Sequence, residues 1–345
     1  FLGVLGSFRV ALRPAFPLAQ VVADLGRWRA GDALDEVERL CRREGIVVGE
    51  LSEAYLELGR LSKAVMWLEN SVEYAPHLAA RRCRSFAHSA QLRELNVLPL
   101  LLTSHLPPVA KLYFALEYED MSSLDVLIKQ VSKENPKSPY AVVATYRALM
   151  KRGLQATVPL QVLASNVAVE GVSADWLGNL GLIAVARAAV AGSDLTPAEM
   201  DGHVRSLCNV LVGEDAASVR YLSRYVTIAG SNSVMLENIL GVFADAVERD
   251  EQELPVWVAD EVTSLARRVL DGADKPEPEL LEALAVSLKS VADSYDRHAG
   301  LYFVAGEMFL KLEDRKRARA CLEAAHVFAE GELRSHIEKL LLSMD

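Results

Sequence analysis

Residues 45–78, GIVVGELSEAYLELGRLSKAVMWLENSVEYAPHL, constrain the fold more tightly than any other stretch of this chain. Apolar and small residues recur there at helical spacing on both sides of Gly59, and Pro76 closes the stretch. That is the pattern of two short helices joined by a tight turn. Ala64 and Ser71 fall on one face of the second helix, two turns apart. Small side chains at that spacing let a neighbouring backbone come close. Tyr55 and Leu68 are the bulky residues that fill the remaining space. Such a hairpin cannot bury its apolar face alone, so further helices must stack on it.

Leu51, Tyr55, Gly59, Ala64, Leu68, Ser71 and Pro76 stand at the offsets of the tetratricopeptide pattern, W-x2-L-G-x2-Y, A-x3-F and P on a period of about 34 residues. The segment therefore resembles a tetratricopeptide repeat, although Val48 and Ser52 hold the Trp and first Gly positions. A second unit near the C-terminus is similar through Tyr302, Gly306, Phe309, Ala318, Leu322 and Ala325, with Ala305 and Glu330 departing from the pattern. A looser match runs through Leu112, Ala115, Leu124, Ile128, Val131 and Pro136, and residues 27–44 read as the second helix of a preceding unit. From about 155 to 295 helices continue without a fixed period.

The rest of the sequence agrees with an all-α chain. No segment holds a sustained period of two. Thr196-Pro197-Ala198-Glu199 spells a helix start, Asp274-Lys275-Pro276-Glu277 a looser one, and Gly59, Gly153, Gly213, Gly230 and Gly272 stand where helices should stop. The expected fold is a right-handed α-solenoid of antiparallel helix pairs, tetratricopeptide-like at both ends and degenerate in the middle. Its parts divide at 1–154, 155–272 and 273–345. The last helix, with Leu333, Ile337, Leu340 and Leu341 on one side, is expected to cap the core and favour a monomer at that end. Trp67, Trp176 and Trp257 are expected in the core. Gly178-Asn179-Leu180-Gly181 is expected within an apolar helix, serving close packing.

Composition narrows function. A net charge of −10 argues against a general nucleic-acid binder. No run of 18 uncharged apolar residues exists, so no membrane span is expected; the apolar opening, interrupted by Arg9 and Arg13, reads as a first packing helix, with the tail of a removed targeting segment as the alternative. The four cysteines, Cys41, Cys83, Cys208 and Cys321, lie far apart, which fits small hydrophobes in a reducing, cytoplasmic setting. No phosphate-loop, dinucleotide or nucleophile-elbow motif occurs, and the seven histidines have no metal-ligand spacing. The chain is thus expected to bind no cofactor or metal and to catalyse nothing itself.

The resemblance implies a scaffold or adaptor that takes a peptide or helix of another protein in a groove. The alternatives are the helical region of a larger enzyme, such as a glycosyltransferase, or of a regulator, and a subunit of a multiprotein assembly. Arg81, Arg82 and Arg84 form one candidate contact for acidic groups, by forked hydrogen bonds. The bland alternative is a solvated face with acids such as Glu69 and Glu73 nearby. Arg220, Tyr221, Arg224 and Tyr225 form a second candidate at i, i+4 spacing, against a snorkelling pair beside core tyrosines. The acid-rich run from Asp245 to Glu282 is a third, suited to steering a basic partner.

Overall fold

The computed structural model describes residues 18–134, 137–154, 158–213, 219–230, 232, 235, 236, 238–242, 256–271, 278–294 and 298–344. All regular structure among them is helical. The described chain up to Arg152, together with Asp175–Leu180, forms one compact unit; Gly153–Ala174 and the chain from Gly181 onward form a second.

The first unit holds α1 (Leu18–Arg27), α2 (Gly31–Glu44), α3 (Glu50–Glu57), α4 (Leu61–Tyr74), α5 (Ala79–Gln91), α6 (Leu98–Thr103), α7 (Pro108–Glu117), α8 (Met121–Glu134) and α9 (Pro139–Lys151). They pair as α1/α2, α3/α4 and α7/α8, the short α6 packs on α7 and α4, and the first helices contact one another in the order α1, α3, α5, α7, α9. This is the hairpin stacking of an α-solenoid, in which each unit touches only its neighbours. Contact between first helices is closest at Gly26, where an added Cβ would lie 2.8 Å from the Cα of Ala54. A side chain there would push α1 off α3.

The second unit contains α10 (Leu160–Val167), α12 (Leu182–Ala191), α13 (Pro197–Val212), α14 (Val219–Ala229), α15 (Val256–Asp271), α16 (Pro278–Ser294), α17 (Ala299–Lys311), α18 (Arg315–Phe328) and α19 (Gly331–Leu342); α11 (Ala174–Leu180) belongs with the first. Here α10 contacts α12 and α13, α12 contacts α14, α14 contacts α15, α15 contacts α17, and α17 lies between α16 and α18. Neighbour-to-neighbour stacking thus persists where the sequence period is lost. In the α17/α18 hairpin, Gly306 faces Leu322 and the Ala318 carbonyl so closely that an added Cβ would meet Leu322 at 3.0 Å.

One turn recurs between consecutive helices. Arg29, Gly59, Glu94, Glu119 and Glu313 all take the left-handed conformation, with φ of 51°, 68°, 54°, 57° and 61°. The residue after each donates its N–H to the carbonyl five positions back: Ala30 to Leu25, Arg60 to Tyr55, Leu95 to Ala90, Asp120 to Ala115 and Asp314 to Phe309, at 2.9–3.0 Å. This is the helix-terminating motif that normally uses glycine. Only Gly59 announces it in the sequence. Helix starts are set locally as well. Thr196 accepts from the Glu199 N–H at 3.4 Å while the Glu199 carboxylate accepts from the Thr196 N–H at 3.0 Å, the capping box its sequence predicts. Gly153 and Gly213 also take positive φ at helix ends.

Consecutive hairpins are locked by a polar cluster with an aromatic at its centre. Tyr55 of α3 donates to Asp35 and Glu38 of the preceding second helix, α2. Lys63 of α4 reaches Asp35 at 2.8 Å and Glu38 at 2.7 Å and lies 4.9 Å from the Tyr55 ring centre. Arg60 adds 2.7 Å contacts to Asp35, and Arg42 a 3.0 Å contact to Glu38. The arrangement returns at the C-terminal pair: Arg317 of α18 bonds Glu282 of α16 at 2.7 Å and sits 4.7 Å from the Phe309 ring of α17. Lys63 follows Tyr55, and Arg317 follows Phe309, by the same eight positions. In the middle region Tyr225 of α14 donates to Asp201 of α13, with Arg205 2.8 Å from Asp201 and 5.7 Å from the Tyr225 ring centre.

Several expectations need correction or lie elsewhere. Trp67 and Trp176 are buried, but Trp257 is 48% exposed, off the stripe of Val258, Ala259, Val262, Leu265, Ala266 and Leu270 that α15 buries. The helix over 174–191 is broken: α11 ends at Leu180, Gly181 has φ of 94°, and a Cβ on Gly178 would meet nothing, so close packing does not explain that glycine. Of the apolar side of α19, only Ile337 is fully buried, because the helix packs on α18 along a narrow strip. No single described helix is long and apolar enough to cross a membrane; α11 and α12 pass that test only together, across the break. The apolar opening up to residue 17, the loose start at 274–277, Pro136, Gly272 and most of the acidic run lie outside the described residues.

Two outcomes follow from the locks and turns. Hydrogen bonds from Lys63, Arg60 and Tyr55 hold the Asp35 carboxyl at about 2, below its ordinary 3.8. Burial pushes Glu38 up, and bonds from Lys63, Tyr55 and Arg42 more than reverse this, to about 2 from 4.5. Both carboxylates are therefore bound more tightly ionised in the folded state. Their contribution is present above the ordinary values and is lost as pH falls toward 2. Glu38→Gln should cost about 1–3 kcal/mol at pH 7 and flatten the fall of the thermal midpoint between pH 5 and pH 2.5; an unchanged acid slope would refute the assignment. Glu313→Gly, which relieves a left-handed side chain, should raise stability by about 0.5–1 kcal/mol in urea unfolding.

Candidate interaction faces

The first-helix face of the first unit carries the arginines singled out in the sequence. Arg82 is engaged: it bonds Glu50 of α3 at 3.0 Å, and its guanidinium fills the space beside Gly49, where an added Cβ would lie 2.2 Å away. Ser85–Glu53 extends this row between α3 and α5, and Arg93–Glu57 continues it from the turn after α5. The acids that neutralise this side of α5 are thus Glu50, Glu53 and Glu57. Glu69 instead accepts the backbone N–H of His105 at 2.6 Å. Arg81 and Arg84 are exposed on α5, with His88 one turn beyond Arg84. Neither arginine has a side-chain hydrogen bond or ion pair among the described residues. The three arginines therefore divide into one structural and two accessible cations.

The second sequence candidate does not assemble as one surface. Tyr221 and Tyr225 are 1% and 0% exposed, their rings stacked with centres 6.4 Å apart, whereas Arg220 and Arg224 are exposed. Burial pushes the Tyr221 hydroxyl up to about 12. Burial and the bond to Asp201 push Tyr225 higher still. Both tyrosines are core residues, and Tyr225 works as a lock.

The face that sequence reasoning missed lies at the C-terminal end of the second unit. An open groove of about 870 Å3 runs across α15, α17 and α19, lined by Arg267, Phe303, Leu333, Ser335, His336 and Lys339 among others. Phe303 forms its floor, 1% exposed. The Arg267 guanidinium carbon sits 5.0 Å from the Phe303 ring centre, and the His336 ring meets that ring edge-on at 5.6 Å. Glu307 holds Arg267 at 3.1 Å from beneath. Burial pushes the Glu307 carboxyl up, and Arg267 partly offsets this. Lys339 stands on the rim without an ion pair among the described residues. An aromatic floor under three basic groups suits an extended segment that presents a carboxylate beside an apolar side chain. The residues come from three helices separated by tens of positions, so no local motif could announce them.

His298 caps α17, accepting from the Leu301 N–H at 3.3 Å, and meets Asp260 at 3.0 Å; His326 meets Glu338 at 3.0 Å. Among the described residues no group of three or more His, Cys, Asp or Glu could hold a metal ion. The four cysteines are free and buried.

Comparison with known proteins adds little to this geometry. No family model and no curated protein matches the chain. It is similar to a tetratricopeptide repeat protein of known crystal structure from Parabacteroides merdae, at 12% identity and a TM-score of 0.26, over 89% of this chain and 98% of that one. The decisive features are the chain's own: stacked first helices, small residues at the contacts, and a repeated left-handed turn. Its hairpins are tetratricopeptide-like. In the clearest of these tetratricopeptide-like units Ala64, Leu68, Ser71 and Tyr55 are all buried, as the pattern requires.

Burial pushes the Cys83 and Cys208 thiols up to about 12 and Cys321 to about 11. The thiolate is the reactive form, so the folded chain should resist iodoacetamide at pH 8 and take up four adducts only in denaturant. Intact-mass spectrometry reads this, and rapid native labelling of any of the four would contradict it.

Proposed function

We propose that this chain is a protein-interaction scaffold or adaptor, without catalysis of its own, that takes an acidic peptide or helix on its first-helix face. The observation that carries this reading is the open groove over Phe303, bracketed by Arg267 and His336 and edged by Lys339. Arginine side chains at the centre of a groove are frequent anchors of protein contacts, and the buried Phe303 ring beneath holds Arg267 in place. The exposed Arg81 and Arg84 on α5 offer a second, weaker attraction for acidic groups. Four free, buried cysteines support a reducing, cytoplasmic setting for this role.

The test is selection from a displayed library of twelve-residue peptides. Enriched peptides should share acidic residues next to an aromatic or large aliphatic one. Their affinity should drop at least tenfold in an Arg267→Glu/Lys339→Glu variant of unchanged helicity, and by a smaller factor in Arg81→Glu/Arg84→Glu. Enrichment indifferent to the first variant would move the site away from the groove; no enrichment at all would sink the scaffold reading.

A further inference from the structure

The seam between α5 and α7 already holds a short helix, and that helix comes from far along the same chain. Asn179 of α11 donates its side-chain amide to the Ala80 carbonyl of α5 at 2.7 Å, across 99 positions of sequence. The Trp176 ring lies 6.3 Å from that of Tyr113 on α7, tilted by 59°. Trp176, Leu177 and Leu180 are 6%, 0% and 0% exposed. We propose that residues 174–180 are a ligand held in cis: the α5/α7 seam is a docking groove for a short Trp-Leu-x-Asn-Leu helix, and a partner presenting that pattern binds by displacing α11.

Three local features fit a replaceable occupant better than a fixed core element. A seven-residue helix is too short to be stable by itself, so α11 is helical because it is docked. Gly178 sits in its middle with open space where a Cβ would be, which weakens the helix with no packing return. The segment is bracketed by Gly171 and Gly181, with φ of 78° and 94°, conformations in which other residues are strained. Trp176, Asn179 and Leu180 stand at i, i+3 and i+4, the spacing by which one helix face enters a groove. The proposal goes beyond the scaffold reading and does not depend on it, because its probe is the chain's own sequence.

The experiment uses the full chain and a fluorescent peptide of residues 171–183. Tethering gives the built-in segment an effective concentration on the order of millimolar, so wild type should bind the peptide weakly. A Trp176→Ala/Leu177→Ala variant with unchanged helicity should bind it at least tenfold more tightly, and adding Tyr113→Ala should abolish the gain. Equal affinity in wild type and variant, or no binding to either, overturns the proposal. Should that variant fail to fold, hydrogen exchange on the unmodified chain decides. Amides of 174–180 should exchange at least tenfold faster than those of α5 and α7, and Gly178→Ala should slow them several-fold while leaving α7 unchanged. Protection of α11 equal to that of α7 overturns it too.

Discussion

Everything in this fold rests on the junction between one hairpin and the next. A pair of short helices has too little interior to exclude water, so its stability is borrowed from its neighbours. Apolar contact supplies most of that stability but is indifferent to register. The polar locks add the register. Tyr55 must meet Asp35 and Glu38, and Lys63 must cover both, before those buried charges are satisfied. A slipped hairpin would leave Glu38 buried and unpaired, which is costly. The same logic at Tyr225–Asp201 and at Phe309–Arg317–Glu282 fixes later junctions with different side chains.

The locks leave only part of the polar surface accessible. Salt bridges between α3 and α5 spend Arg82 on structure, and burial spends Tyr221 and Tyr225 on the core. The accessible chemistry is then Arg81 and Arg84 on one unit and the Arg267–Phe303–His336–Lys339 groove on the other. An exposed cation over an aromatic floor gains orientation as well as attraction, because the ring and Glu307 hold Arg267 in one pose.

The clear repeat at 45–78 was legible because its glycine, small residues and tyrosine sit at family offsets. The α1/α2 hairpin and the end of α5 were much less so, since Arg29 and Glu94 occupy turns where glycine is the usual signal. Backbone conformation there is imposed by the packed helices on either side, which outweighs a local cost of about 1 kcal/mol. Trp257 shows the converse error: a large aromatic was expected inside, yet its register on α15 turns it outward. Gly181 shows another, a helix-compatible apolar run broken by a single left-handed residue.

By itself the sequence determined the helical class, the pairing of helices, the tetratricopeptide-like ends and the absence of familiar catalytic motifs. Those are carried by short-range spacing, which a linear chain displays directly. Only the tertiary structure decided which arginines are spent in salt bridges, which tyrosines lock hairpins, where a groove opens, and that α11 folds back on α5 and α7. Each of these depends on residues brought together from distant positions, as Asn179 and Ala80 are. Long-range contact of that kind is set by packing and leaves no periodic trace in the sequence.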